Sequence, residues 1–398
     1  MMLLRKDVTA RQGRGRGFGC LLLAACCAFL APQVQAQTWA ETLKGLVAGK
    51  VLAGAVTCAA NADTVLETEA AGWADIEGQR PMRPDAMFWI ASMTKGVTGA
   101  ALMMLVDEGK VSLDDPVAKY IPKLKELWVV EKMEGDRMTL VKAKAPVTVR
   151  QVMSHTSGFP FLSPQEPKID TMPLREKISV YAQTPLIAEP GTKYQYSNIG
   201  INIAGYIIEA VSKMPYEEFL QKRLFDPLGM TDTTFWLTPE QEARLARCYR
   251  PNAETSELTP CPVGFMSYPF TDRANRFAEP GGGLFSTAHD VTRFCQMLLN
   301  GGTLDGKRLL SDAAVRALGT KQTGDAVPTE YGLGFEVHGW GFRHGGAQGT
   351  FMQIDTQNGF VTVYLVQHAG FFKDKEKDGH AAPEVFRKLT VQHYGKKQ

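Results

Sequence analysis

The chain has 398 residues, 44 of them basic and 42 acidic, for a formal net charge of +2, and 44% of its residues are apolar. That length can bury one large or two intermediate cores. So even a charge balance excludes the basic surface that a nucleic-acid binder needs.

Residues 1–36 carry a basic start (Arg5, Lys6, Arg11, Arg14, Arg16), an apolar run over 18–30 and small residues up to Ala36. This is the pattern of a secretory signal cleaved after Ala36. The apolar run is too short for a membrane span, which takes roughly 18–20 residues. A competing reading is lipid anchoring at Cys26, because Leu23-Ala24-Ala25-Cys26 resembles a lipobox, although the apolar residues after it fit poorly. Without the signal the charge is about neutral, and Cys58, Cys248, Cys261 and Cys295 remain. Cys248 and Cys261 could pair across a short loop in an oxidising compartment, though a chain of this size needs no staples.

In chain order, an amphipathic segment at 39–48 precedes two strands at 53–60 and 64–71, joined by Asn61-Ala62-Asp63. From Ser92 the pattern turns helical, with Val97, Ala100, Ala101, Met104 and Leu105 on one stripe and Gly109 at the end. Gly96 and Gly99 suggest that this helix lies deep among its neighbours. A helix start at Pro116, a surface hairpin over 128–141, and a short helix at 149–154 capped by Thr148 follow. Residues 161–195 read as loop, 199–212 and 216–224 as helices, and 239–280 as a long excursion beside a cleft. Gly281-Gly282-Gly283 has neither a Walker lysine nor dinucleotide spacing, so close backbone packing explains it better than phosphate binding. Thr287 to Asp290 caps a helix over 291–300. The remainder is β-rich, with strands at 331–337, 341–346, 348–355 and 360–367, the Asn358-Gly359 turn, a solvated charged loop over 373–378 and a closing helix at 383–394.

Strands at both ends with helices between them predict an α/β chain of α+β type. Its antiparallel sheet is built from both chain ends and flanked by helices, and it carries a mostly helical insertion. The expected organisation is a discontinuous sheet domain over 37–100 and 300–398 and a helical domain over 101–299, with the active cleft at their junction.

Three short stretches could carry chemistry. In Ser92-Met93-Thr94-Lys95 a hydroxyl and an amine three residues apart share a helix face, although this motif alone is weak and Ser92 could simply cap the helix. Tyr194-Gln195-Tyr196-Ser197-Asn198 precedes a helix, where Ser197 or Asn198 could be a cap and the tyrosines packing. Arg343-His344-Gly345-Gly346-Ala347 lies on a late strand, where small residues let a ligand backbone approach the sheet edge or merely bend the strand. No G-x-S-x-G elbow, H-E-x-x-H motif or cysteine-histidine cluster is present, which leaves an α/β-hydrolase or zinc hydrolase unsupported.

In combination and order, Ser92-Met93-Thr94-Lys95, Tyr196-Ser197-Asn198 and His344-Gly345-Gly346 resemble the three motifs of the serine β-lactamase and penicillin-binding-protein superfamily. The likeness is nearest to its class C branch, with the DD-peptidases and the family VIII esterases. His155-Thr156-Ser157-Gly158, Glu189-Pro190-Gly191-Thr192, Asp226-Pro227-Leu228-Gly229-Met230 and Tyr331-Gly332-Leu333-Gly334-Phe335 look familiar from it too. The resemblance implies a β-lactamase/transpeptidase-like fold and no cofactor or metal. It implies that Ser92 is the acylated nucleophile, that Lys95 eases its deprotonation and that Tyr196 exchanges protons with it. Asn198, His344, Gly345 and Gly346 would bind substrate, and the backbone N–H groups of Ser92 and Ala347 would form the oxyanion hole. Lys95 and Tyr196 both titrate near 10 when unperturbed, so either a phenolate or a neutral lysine must be the base, and the sequence leaves that choice open.

Two departures stand out. His344 replaces the lysine usual in the lactamases, which weakens recognition of a substrate carboxylate, and alternation turns Arg343 to the opposite face. The class A deacylating glutamate has no counterpart, which leaves Tyr196 to activate the hydrolytic water. The expectation is a secreted or periplasmic serine hydrolase acting on a small ester, amide or peptide, with an esterase favoured over a DD-peptidase or β-lactamase. A non-catalytic binding protein on the same scaffold and an acyltransferase are the other readings.

Overall fold

The structure, a computed structural model, describes residues 38–166 and 168–395. The expected signal, its cleavage at Ala36 and the competing anchor at Cys26 lie outside the described residues. No helix among the described residues is long and apolar enough to cross a membrane.

Strands Gly54–Ala60 and Val65–Asp75 form the first hairpin. Its turn is set by Asn61, whose Oδ1 accepts from the N–H groups of Asp63 (2.9 Å) and Thr64 (2.8 Å). The late strand Phe360–Leu365 lies antiparallel beside Gly54–Ala60, with Val56 opposite Leu365 and Cys58 opposite Val363. The two chain ends therefore share one seven-stranded sheet. Its order is Glu336–His338, Gly341–Gly345, Phe351–Asp355, Phe360–Leu365, Gly54–Ala60, Val65–Asp75, Arg80–Pro81, all antiparallel.

Alternation along these strands feeds two cores. Val56, Cys58, Val361, Val363 and Leu365 face the main one, which continues without a break through the helices Thr94–Asp107 and Asn198–Ser212. Ala55, Ala59, Tyr364 and Val366 face the other, under the helices Trp39–Ala48 and Glu376–Tyr394. There the Trp39 and Phe386 rings meet at 5.0 Å, edge to face. Each large apolar side chain buried this way contributes about 1.5–3 kcal/mol. The Ala288–Leu299 helix, capped by Thr287, packs on the sheet as well, although it lies within the stretch expected to be the insertion.

The Thr94–Asp107 helix has no polar face, and every residue from Thr94 to Leu105 is buried. Its glycines permit this. A Cβ on Gly96 would fall 2.4 Å from the Phe335 ring, and one on Gly99 would fall 2.3 Å from the Leu333 carbonyl oxygen.

Several elements differ from expectation for identifiable reasons. A helix, Leu174–Tyr181, occupies part of the supposed loop over 161–195. Its buried stripe is Leu174, Lys177, Ile178 and Tyr181, and the lysine in it hides the apolar period. The excursion over 239–280 contains a helix, Pro239–Arg244, and a hairpin, Tyr249–Asn252 with Glu257–Pro260. The strand expected over 331–337 is reduced to Glu336–His338, with Tyr331 bridging Glu336, and the strand expected from 348 begins at Phe351. The start expected at Pro116 yields only a 3-10 turn, Val117–Lys119. The closing helix begins at Glu376, so Pro383 is internal to it and part of the charged loop is its first turn.

Candidate active site

Ser92 lies in a 3-10 turn, Ala91–Met93, that precedes the buried helix, so that helix begins two residues later than expected. Ala91 takes a φ of +48°, an uncommon backbone conformation for a residue with a side chain. Ser92 is not the cap of that helix, whose N-cap position is Met93. Instead its hydroxyl accepts from Lys95 Nζ at 3.1 Å. Lys95 is fully buried, and its ammonium also donates to the carbonyl of Gly281, in the turn before strand Phe285–Ser286. Burial outweighs the attraction of Glu279 and pulls the Lys95 amine down from its ordinary value to about 7.

The second stretch meets the first here. The Tyr196 ring lies 4.8 Å from Lys95 Nζ. Burial pushes its phenol up, only partly opposed by interaction with the Ser92 hydroxyl. Ser197 is the helix cap, accepting from Gly200 N–H at 3.1 Å. Asn198 is thereby left free of that task, and its Oδ1 is buried without a hydrogen-bond partner among the described residues. Exposed Phe161 stacks on Tyr196 at 6.1 Å and meets exposed Phe265 edge-on at 6.5 Å, so the mouth of the site is aromatic.

The third stretch closes the site from the sheet. A Cβ on Gly346 would lie 2.5 Å from the Ile90 carbonyl oxygen and 3.3 Å from Ala91 Cβ, so this glycine is what lets the strand end pack on the Ser92 turn. Gly345 lies against the Phe351 ring in the same way. Ala347 follows in an exposed turn, and its N–H donates to no protein acceptor among the described residues. Arg343 is turned away, donating to Glu336 at 2.8 Å.

His344 belongs to a buried chain whose direction is fixed at both ends. Ser197 N–H donates to His155 Nδ1 at 3.1 Å, so a neutral His155 carries its proton on Nε2, facing the Tyr331 hydroxyl at 3.3 Å. At the other end the Gly345 carbonyl can only accept, so the His344 proton sits on Nδ1, 2.6 Å away. The Tyr331 O–H then donates to His344 Nε2 at 2.9 Å. Burial, reinforced by Lys95, holds His344 at about 4 and His155 well below the usual histidine range. His344 is therefore neutral near pH 7.

His155 and Tyr331 stood in stretches singled out in the sequence, but without a role. Lys177, Glu166 and Glu279, all buried, gave no motif signal at all. Lys177 donates to Glu279, and its Nζ is 3.2 Å from Glu166 Oε1. The glycine run does pack closely: a Cβ on Gly283 would fall 2.9 Å from the Glu279 side chain. Among the described residues, no group of three or more His, Cys, Asp or Glu side chains could hold a metal ion.

The family model described as Beta-lactamase matches residues 39–385. Protein Rv1367c of Mycobacterium tuberculosis is 33% identical over 352 residues, 80% of this chain and 86% of that one. A putative D-alanyl-D-alanine carboxypeptidase of Salmonella agona is 30% identical over 320 residues, 71% of this chain and 69% of its own. Among solved structures, EstCE1, a hydrolase with promiscuous acyltransferase activity, superposes with a TM-score of 0.69 at 21% identity, covering 86% of this chain and 97% of that chain. At that identity the likeness shows the shared fold.

Proposed function

This chain belongs to the Beta-lactamase family of serine hydrolases, and on that premise we propose that it is a secreted or periplasmic hydrolase that acylates itself on Ser92 and favours esters. The observation that carries this reading is the buried Lys95 amine, 3.1 Å from Ser92 Oγ and held at about 7. Near neutral pH a large fraction of Lys95 is uncharged and can accept the serine proton, while the raised Tyr196 phenol keeps its own.

The proposed sequence balances its protons. Ser92 Oγ attacks the carbonyl carbon as its proton passes to Lys95 Nζ, and the backbone N–H groups of Ser92 and Ala347 receive the oxyanion. As the bond to the leaving group breaks, Tyr196 protonates the departing oxygen or nitrogen and regains a proton from Lys95. Water then enters by the reverse route, with Tyr196 as its activator. Asn198 and the Gly345-Gly346 edge bind the acyl portion, and the aromatic mouth at Phe161 and Phe265 suits an apolar group. A neutral His344 offers a substrate carboxylate no full charge, which favours esters over acidic substrates.

The test is incubation with a p-nitrophenyl short-chain ester, a chromogenic cephalosporin and an acyl-D-Ala-D-Ala peptide, beside Ser92→Ala, with intact mass measured for an acyl adduct. Ester turnover and an adduct, both lost in Ser92→Ala, are expected. Equal behaviour of the two proteins on all three, with no adduct, would remove Ser92 as nucleophile. A DD-peptidase is the second reading, favoured by the name of the Salmonella relative, and turnover of the peptide above the ester would select it.

A further inference from the structure

The Glu166, Lys177 and Glu279 cluster holds two carboxyl groups and one ammonium, all buried. Glu166 is well provided for. Its Oε1 accepts from Tyr181 at 2.8 Å, its Oε2 accepts from Ser163 N–H at 3.3 Å, and Lys177 lies beside it. Glu279 Oε2 takes the remaining donation from Lys177, while Glu279 Oε1 has no donor among the described residues. That free oxygen lies 3.0 Å from where a Gly281 Cβ would stand, beside the peptide whose carbonyl holds Lys95.

A second path runs to the same residue. Asn202 Nδ2 donates to the Tyr181 hydroxyl at 2.9 Å, and Asn202 Oδ1 accepts from Gly281 N–H at 3.1 Å. Gly281 thus gives the N–H of one peptide unit to Asn202 and the carbonyl of the next to Lys95, so the acceptor of Lys95 is fixed from the cluster side.

We propose that Glu279 is a positioning residue for the reaction, a buried acid behind Lys95 that lies across residue Gly281 from it and stabilises the ammonium formed when Lys95 takes the Ser92 proton. The inference rests on the reading of Lys95 as base. Burial pushes the Glu279 carboxyl up against the pull of Lys177; ionised beside that ammonium, it takes no proton in the step, and the proton moves only from Ser92 Oγ to Lys95 Nζ. The other ionisable groups around Lys95 are Ser92, Tyr196, His155 and His344. The two imidazoles are neutral near pH 7 and the phenol is protonated, so Glu279 supplies the negative charge.

The test is the rate at which a fluorophosphonate labels Ser92 between pH 5 and 9, measured on wild type, Glu279→Gln, Glu166→Gln and Lys95→Met, with kcat and KM for the ester alongside. Glu279→Gln leaves Lys177 paired with Glu166, so no charge is stranded. Its acid limb should move down by about one pH unit, the low end of what a neighbouring opposite charge produces, with kcat lowered and KM nearly unchanged. Glu166→Gln should move the limb the same way by less, and it carries the test should Glu279→Gln fail to fold. A limb that stays in place while the rate falls uniformly would mean a structural role only and would overturn the proposal, provided Lys95→Met is inactive. Labelling of Lys95→Met at the wild-type rate would instead overturn the reading of Lys95, and the proposal with it.

Discussion

At the scale of single residues, the direction of the chain from Ser197 through His155, Tyr331 and His344 to Gly345 follows from two backbone groups that cannot change roles. Tyr331 is its pivot, since it accepts on one side and donates on the other. In Tyr331→Phe, His155 Nε2–H and His344 Nε2 would both lose a buried partner. The expected cost is about 1–3 kcal/mol for each unpaired nitrogen, read from urea unfolding. A loss within 0.5 kcal/mol would show that the chain holds nothing in place. The meeting of Ser92, Lys95 and Tyr196 was legible in the sequence because each belongs to a short motif. Glu279 was not, because a buried carboxylate is recognisable only by its distant partner Lys177, and nothing in one sequence pairs residues so far apart. Gly345 and Gly346 were read for substrate access. Their contacts with Phe351 and with the Ile90–Ala91 backbone show that packing also requires them.

At the scale of elements, turn chemistry carried most of the legible structure. Asn61, Thr148 and Thr287 each sit where their side chains satisfy backbone N–H groups, and the elements they bound were foreseen. Strand edges beside the site were less legible, because the backbone carbonyls of Tyr331 and Gln348 accept from Gln322 and His368 instead of joining a regular ladder. The hairpin Tyr249–Asn252 with Glu257–Pro260 was missed, yet it accounts for the cysteine pair that the sequence left open. Cys261 N–H donates to the Cys248 carbonyl at 2.9 Å, which brings the two free thiols to 3.3 Å. We expect mild oxidation to join them. Closing a loop of about 15 residues adds roughly 3 kcal/mol in the chain-entropy view. The expected signature is the loss of two hydrogens by mass and a Tm raised by several degrees, both reversed by reductant and absent in Cys261→Ser. An unchanged mass under oxidant would show that the thiols stay apart. Cys248 also donates to Gln348, next to Ala347, so the bond would loosen the proposed oxyanion turn, and the kcat of the proposed ester hydrolysis should change with redox state.

At the scale of the whole molecule, the sheet that joins both chain ends was readable from alternation and turns, and its closure places three imidazoles in the interior. His155 and His344 belong to the site. His368 lies at the seam of the chain ends, where its Nε2 accepts from Ala53 N–H at 2.9 Å. A protonated ring at His155 or His368 would set N–H against N–H, so geometry and burial both favour the neutral form. Burial holds His344 and His368 at about 4 in the folded protein and His155 well below the usual histidine range, while in the unfolded chain each should titrate near 6.5. Above that value both states are neutral and contribute no pH dependence. Between 6.5 and 4 the unfolded chain binds protons that the folded one refuses, so stability falls as pH falls, by roughly 3 kcal/mol for each of the two by pH 4. Urea midpoints measured from pH 7 to 4 should therefore drop steeply below 6.5, beyond what the carboxylates alone produce nearer their own range. His368→Gln retains an acceptor for Ala53 N–H without a titrating group, and it should flatten that slope by about one histidine's share. A slope unchanged in His368→Gln would show that His368 is protonated in the fold, and the chain ends would then be held together by some other contact.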